Sequence, residues 1–238
     1  MKEIKIDKFT VKRGSFILKP VSLTIKKSEI FAILGYTGSG KTVLLEAIAG
    51  MFEGDSGSVL YDGTEVTSIV PENRQIGIVY QNHGLFPHMK IADNIAYGLK
   101  MHHFEKKKII QRTEELLDLF EIRHIKDQYP GTISGGEGQR AALARALALE
   151  PSVLLLDEPF SALDPSTRKM LYKIILKIHD KLQCTIVFVT HDFKEAQILA
   201  DRVGILLGGE LLAVTDGKNL MEKRYCEKVE AFLGRSTV

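Results

Sequence analysis

At 238 residues the chain is long enough for one domain, or one domain with an insertion, and for a sizeable apolar core without disulfide staples. Apolar residues make up 45% and charged residues 26%, which excludes wholesale disorder, and a net charge of +2 gives no electrostatic basis for a dedicated nucleic-acid binder. Cys184 and Cys226 cannot build a disulfide framework and read as free thiols in a reducing compartment. The first five residues carry no signal-peptide core, and no apolar run approaches the ~18 residues of a membrane span. The expectation is a soluble intracellular protein whose membrane role, if any, runs through a partner.

The first 35 residues alternate apolar and polar through Ile4, Ile6, Val21, Leu23 and Ile25, the period of strands. The run Ile30–Leu34 is apolar throughout and reads as a strand buried on both faces. A Gly-rich turn, Gly35–Thr42, comes next, and Val43–Met51 has helical spacing. Residues 57–80 hold two or three short strands, with Asp62-Gly63 as a hairpin signal. From Asn82 to Pro130 the strand signal vanishes. Ile91–Met101 and Lys106–Phe120 read as helices, and the basic run Lys106–Lys108 as a solvated face. Glu137–Leu149 is strongly helical. Val153–Glu158 is a buried strand ending in two acids. Pro165–Leu182 is a helix, Thr185–Thr190 a strand, Asp192–Leu199 a helix, and Val203–Leu207 with Glu210–Val214 a hairpin over Gly208-Gly209. Strands alternating with helices predict a parallel-rich sheet covered on both faces.

Gly35-Tyr36-Thr37-Gly38-Ser39-Gly40-Lys41-Thr42 fits G-x-x-x-x-G-K-[ST] and sits between a buried strand and a helix, the context this motif requires. Its glycines let the backbone wrap a phosphate chain with N–H groups pointing inward. Lys41 reaches the β- and γ-phosphates, and the Thr42 hydroxyl can ligate Mg²⁺. The strand Leu154–Leu156 ends in Asp157 and Glu158, at the edge where open α/β sheets bind ligands. Asp157 would hold Mg²⁺, and Glu158 would be the general base for an attacking water. Ser134-Gly135-Gly136-Glu137-Gly138-Gln139-Arg140 opens another helix. Alone it reads as an ordinary N-cap, but serine and unpaired N–H groups at a helix start also form an anion site. Two phosphate-binding helix starts serve one nucleotide only by folding together or by meeting across a dimer.

These motifs, with Gln81 at one strand end, Ser161–Asp164 and His191 at another strand end, resemble the nucleotide-binding subunit of an ABC transporter over nearly the whole chain and in the same order. The resemblance implies an α/β fold: a P-loop NTPase core with a parallel-rich sheet, an N-terminal antiparallel β subdomain and an inserted α-helical subdomain. It implies one domain over 1–238, with 1–81 and 134–238 as core and 82–133 as insertion. It implies ATP and Mg²⁺, with ATP held by Gly35–Thr42 of one subunit and covered by Ser134, Gly135, Gly136 and Glu137 of a second copy packed head to tail. Gln81 would sense the γ-phosphate, reaching Mg²⁺ or the attacking water. His191 would bind the γ-phosphate and hold Glu158, and Asp164 would lie at the dimer seam.

The resemblance also implies an ATPase at the cytoplasmic face of the membrane. It would energise an integral permease received at 82–89 and the helical insertion, and indirectly serve a solute-binding protein. Asn82–Met89, rich in large apolar groups, is expected to be exposed. Leu85-Phe86-Pro87-His88 resembles importers of the molybdate/tungstate, sulfate, polyamine and maltose group, with molybdate or tungstate the favoured cargo and metal ions also open. Many of those subunits carry a further regulatory domain, and with the sequence read to Val238 none is expected here. A soluble ABC ATPase is the rival class. Its chromosomal versions carry a coiled coil far longer than 82–133, and its ribosomal versions two cassettes.

Three positions depart from the family pattern. The signature begins with Ile133 where Leu is usual, and Glu137 and Gly138 stand where Gln is usual. A carboxylate at Glu137 is tolerable near the partner's nucleotide only facing the ribose. The adenine platform departs as well: either Phe16 moves in, the Arg13 guanidinium stacks on the base, or neither does.

Overall fold

The computed structural model describes residues 2–161 and 163–235. Ala162 of the Ser161–Asp164 motif and the expected chain end at Val238 lie outside the described residues.

The chain opens with two ten-residue strands, β1 (Ile4–Arg13) and β2 (Phe16–Ile25), paired antiparallel with a register shift around Phe9. β4 (Ser56–Tyr61) pairs with the other edge of β1, and β5 (Thr64–Glu65) closes the hairpin over Asp62-Gly63. These four form an antiparallel sheet in the order β2-β1-β4-β5.

The second sheet has six strands, in the order β10-β9-β3-β8-β7-β6. They are β3 (Ile30–Leu34), β6 (Ile76–Val79), β7 (Val153–Asp157), β8 (Thr185–Thr190), β9 (Arg202–Leu207) and β10 (Glu210–Asp216). All neighbours are parallel except the β9–β10 hairpin. β3, β7 and β8 are buried along their whole length, as their unbroken apolar runs require. Alternate residues divide between two cores. Phe31, Ile33, Leu155 and Val187 pack with α1 (Lys41–Ala49) and the N-terminal sheet. Ala32, Leu34, Leu154, Leu156 and Phe188 face the other helices.

That second face is covered by α4 (Gly135–Leu147), α5 (Pro165–Leu182) and α6 (Phe193–Leu199). α2 (Ile91–Met101) and α3 (Lys106–Leu119) pack on α4 through Ile91, Ile95, Leu99, Leu116 and Leu117. A short helix near the end, α7 (Glu227–Phe232), is not announced by any sequence pattern. No helix among the described residues is long and apolar enough to cross a membrane.

Sheet register gathers the motif residues. Leu34 pairs with Thr190, Val79 with Leu156, and Asp157 with Val189, so β3, β6, β7 and β8 end together along one edge. Gly35, Gln81, Glu158 and His191, just past those strand ends, are thereby brought to one side of the sheet.

The segment 82–89 departs from expectation: it is not an open apolar patch. Leu85, Phe86 and Met89 are all half-buried rather than free. The buried Asn94 side chain accepts from Phe86 N (2.8 Å) and donates to the carbonyls of Phe86 and Met89 (3.1 Å each). The Phe86 ring packs on Tyr97 at 4.7 Å and under the Arg145 guanidinium at 5.1 Å. A buried amide has to find partners, and here it finds them by fastening the loop down.

Candidate active site

The phosphate loop turns into α1 at Gly40, whose φ of +96° lies in the left-handed region glycine favours. A Cβ there would fall 2.3 Å from the Phe16 ring, so the glycine also lets that ring lie against the loop backbone. Lys41 is 5% exposed. Its ammonium donates to the carbonyls of Gly35 and Tyr36 (3.0 Å each) and lies 3.6 Å from Glu158 Oε1. Burial pushes its pKa down, and the Glu158 carboxylate works against that shift.

Thr42 Oγ1 donates to Asp157, 3.0 Å from Oδ1 and 3.2 Å from Oδ2. Burial raises the Asp157 pKa, with the Thr42 hydrogen bond opposing and the Glu158 charge adding to the rise. Glu158 comes directly after β7 with φ +43°, unusual for a residue with a side chain. That turn carries its carboxylate toward Lys41 on one side and toward His191 Nδ1, 3.4 Å from Oε2, on the other. Gln81 Nε2 donates to Ser161 Oγ (3.5 Å), which donates to the Glu158 carbonyl (3.1 Å).

Phe16, Lys41, Thr42, Gln81, Asp157 and Glu158 line one cavity of about 380 Å³. A slightly larger groove of about 460 Å³ between α3 and α5 is mostly apolar, lined by Leu116, Leu119, Ile178 and Leu182, and contains no phosphate-binding element. The smaller cavity has the chemistry of a Mg²⁺–nucleotide site. A hydroxyl and a carboxylate stand together as hard oxygen ligands, and a buried ammonium is held only by oxygens that phosphate oxygens can replace. Ser39 Oγ, also in the loop, is buried without a hydrogen-bond partner among the described residues. Between the two adenine-contact alternatives, Arg13 is engaged elsewhere: its guanidinium stacks on Phe52 at 3.6 Å and lies 3.9 Å from Glu46.

The second anion-binding motif caps α4. The first intrahelical bond runs from Gly138 N to Ser134 O, so the N–H groups before it stand outside the helical ladder. Ser134 and Glu137 form a capping box, in which Ser134 N and Oγ both donate to Glu137 Oε2 (2.8 and 2.7 Å) and Glu137 N donates to Ser134 Oγ (3.3 Å). His124 Nε2 lies 2.8 Å from Oε1 of the same carboxylate. These contacts, those of Ser134 first, hold the Glu137 pKa down to about 2. Glu137 thus turns back onto its own cap, which sequence reasoning missed although the Ser-x-x-Glu spacing carries the signal. Asp164 caps α5, accepting from Ser166 N (2.9 Å) and Thr167 N (3.1 Å), and hydrogen bonds from Ser166 and Thr167 hold its pKa well below the usual carboxylate range.

Residues 18–161 match the family model described as "ABC transporter". The chain is 41% identical over 231 residues to the "Molybdate/tungstate import ATP-binding protein WtpC" of Pyrococcus horikoshii, covering 97% of this chain and 67% of that protein. It is 45% identical over 230 residues to the "Sulfate/thiosulfate import ATP-binding protein CysA" of Halalkalibacterium halodurans, covering 94% and 64%. The chain therefore spans about two thirds of the length of these curated relatives. Among solved structures it resembles the dimeric post-hydrolysis state of the ATP-binding cassette MJ0796 bound to ADP and Pi, with a TM-score of 0.81 at 30% identity over 90% of this chain and 98% of that one. A phosphate loop facing an Asp–Glu strand end, on a fold shared with that cassette and a sequence matched by the family model, leads to one assignment: the chain belongs to the ABC transporter family and is an ATPase domain of it.

Proposed function

We propose that this chain is the ATP-hydrolysing subunit of a membrane importer, bound peripherally to its permease, and that two copies close head to tail over two ATP molecules. The observation that carries the reading is the convergence of Lys41, Thr42, Asp157 and Glu158 on one cavity, with His191 held against Glu158. The dimeric state of the cassette MJ0796, solved with ADP and Pi, supports the closed pair.

In this reading Lys41 and the loop N–H groups bind the phosphates, and Phe16 offers its ring to the adenine. Thr42 and Asp157, with Gln81 alongside, would hold Mg²⁺, which would supply charge neutralisation at the phosphates. Glu158 accepts a proton from the attacking water. The water oxygen bonds to the γ-phosphorus, and the bond to the β–γ bridging oxygen breaks with its electrons going to ADP. His191 keeps Glu158 aimed, and Gln81 orients the water. Ser134, Gly135 and Gly136 of the second copy, with Glu137 setting their cap, cover the γ-phosphate from outside, and Asp164 lies at the seam between copies. Catalysis is thus positioning and charge stabilisation.

The favoured cargo is a small oxyanion, tungstate or molybdate. Likeness to a molybdate/tungstate importer subunit over nearly the whole chain supports it, and likeness to a sulfate/thiosulfate one supports the oxyanion class. The test is ATP turnover by this chain on its membrane permease, with the solute-binding protein offered empty or loaded with tungstate, molybdate, sulfate or spermidine. Stimulation by tungstate or molybdate alone is expected. Stimulation by sulfate alone would replace the cargo within the class, and stimulation by spermidine alone would discard the class.

A further inference from the structure

The departure at Gly138 meets its counterpart in His83. A Cβ built at Gly138 would fall 3.0 Å from His83 Nδ1 and 3.3 Å from His83 Cε1. The imidazole occupies the space that a side chain on the first turns of α4 would fill. The backbone that carries it is anchored on both sides. His83 is half-buried and takes φ +64°, its N–H donates to Tyr80 O (2.9 Å), and its carbonyl accepts from Arg145 Nη2 (3.4 Å). Arg145 stands seven residues beyond Gly138, on the same face of α4, and its guanidinium also covers Phe86. The loop after Gln81 therefore leans on α4 at two heights. The upper contact sits directly behind Ser134–Glu137, and the lever arm from Gln81 to His83 is two residues.

We propose that His83 is a positioning residue that couples Gln81, in the chain's own nucleotide site, to the Ser134–Glu137 turn offered to the partner's nucleotide, and that Gly138 is the complementary half of this contact. Packed contacts of this kind are bistable rather than compliant, so a shift of the Gln81 loop moves the first turn of α4 with it. The absence of a side chain at 138, where the family usually carries Gln, is then a matched pair with the imidazole at 83. The inference rests on the dimeric reading above, because the coupling has no consequence unless α4 serves a second copy.

The test is a double-mutant cycle on the full chain with His83→Asn, Gly138→Gln and the double variant, reading kcat and KM for ATP together with thermal unfolding. Asn tolerates the left-handed backbone at 83, which keeps the fold out of the comparison. Each single change is expected to lower kcat about tenfold with KM within about twofold, because ATP binding by Lys41 and the loop is untouched. The double variant is expected to recover to within about threefold of the parent, as the Gln side chain fills the space the ring leaves. Multiplicative losses in the double variant, or a rise in KM with kcat unchanged, would overturn the coupling. The dimeric reading is checked separately in the Glu158→Gln variant. If that variant fails to pair with Mg²⁺ and ATP, the dimer and the coupling both fall, whereas pairing without recovery in the cycle removes the coupling alone.

Discussion

Lys41 Nζ lies 3.6 Å from Glu158 Oε1, so the ammonium proposed to grip phosphate and the carboxylate proposed to deprotonate water form an ion pair with one another. On the proposed function, phosphate oxygens would take over the lysine and release the carboxylate toward its water. Replacing Glu158 by Gln removes both the base and the competitor. Turnover is expected to fall at least about a hundredfold, while the dissociation constant for ATP, measured by calorimetry in the presence of Mg²⁺, stays equal to or below that of the parent. Weaker ATP binding in Glu158→Gln would show that the pair does not compete with phosphate.

Phe16 and Arg13 differ in availability. Both side chains line the nucleotide cavity, but the ring of Phe16 lies against the Gly40 backbone, whereas the Arg13 guanidinium is stacked on Phe52. Phe16→Ala should weaken ATP binding by about 5- to 150-fold, the range of lost base stacking at about 1–3 kcal/mol. Arg13→Ala should leave it within about twofold. A fluorescent nucleotide titration separates the two, and the reverse order would move the base onto Arg13.

Arg74 is 1% exposed and anchors the helix that carries Lys41 and Thr42. Its guanidinium donates to Ala47 O (3.3 Å) and Ile48 O (2.9 Å) at the C-terminal end of α1, and to Ile69 O (2.7 Å) and Thr67 O (2.9 Å). A cation at a helix C-terminus is favourable, and removing it strands buried carbonyls. Arg74→Met should destabilise the fold by at least about 3 kcal/mol in urea unfolding. A loss under about 1 kcal/mol would mean that water replaces the guanidinium at little cost.

The Ser134–Glu137 box gives a pH signature. The folded-state pKa of Glu137, about 2, lies below its ordinary value of 4.5, so the stabilisation is fully present above the ordinary value and is lost as pH falls toward the folded one. Glu137→Ala should cost about 1 kcal/mol at neutral pH, the usual worth of a cap, and that gap should close between about pH 5 and pH 2. A gap that persists unchanged at low pH would assign the effect to helix propensity instead.

The elements with long periodic or unbroken apolar runs are legible in the sequence: β3, β7 and β8, and the helices α2, α3 and α5. The phosphate loop and the Asp157–Glu158 strand end are legible because their chemistry demands fixed spacing. Contacts made across the fold are not. Phe16 and Arg13 are three residues apart, and only packing against Gly40 and Phe52 tells them apart. Asn82–Met89 reads as exposed because its anchor, Asn94, lies on the next helix. Arg74 carries no local signal, since nothing near it in the chain announces carbonyls converging from the end of α1 and from the 67–69 turn. Glu137 reads as facing a nucleotide, although Ser134 three residues earlier offers it a nearer partner. α7 is only six residues long and too short for a periodic signal.

In the proposed function one copy of this chain completes the catalytic site of another. Its most direct test is the solution mass of Glu158→Gln, by light scattering or sedimentation, with ATP and Mg²⁺ and again with ADP. A dimer with ATP that returns to monomer with ADP is expected, with loss of that dimer when Ser134 is replaced by a bulky residue. A monomer under every condition, with ATP bound at full occupancy, would contradict it.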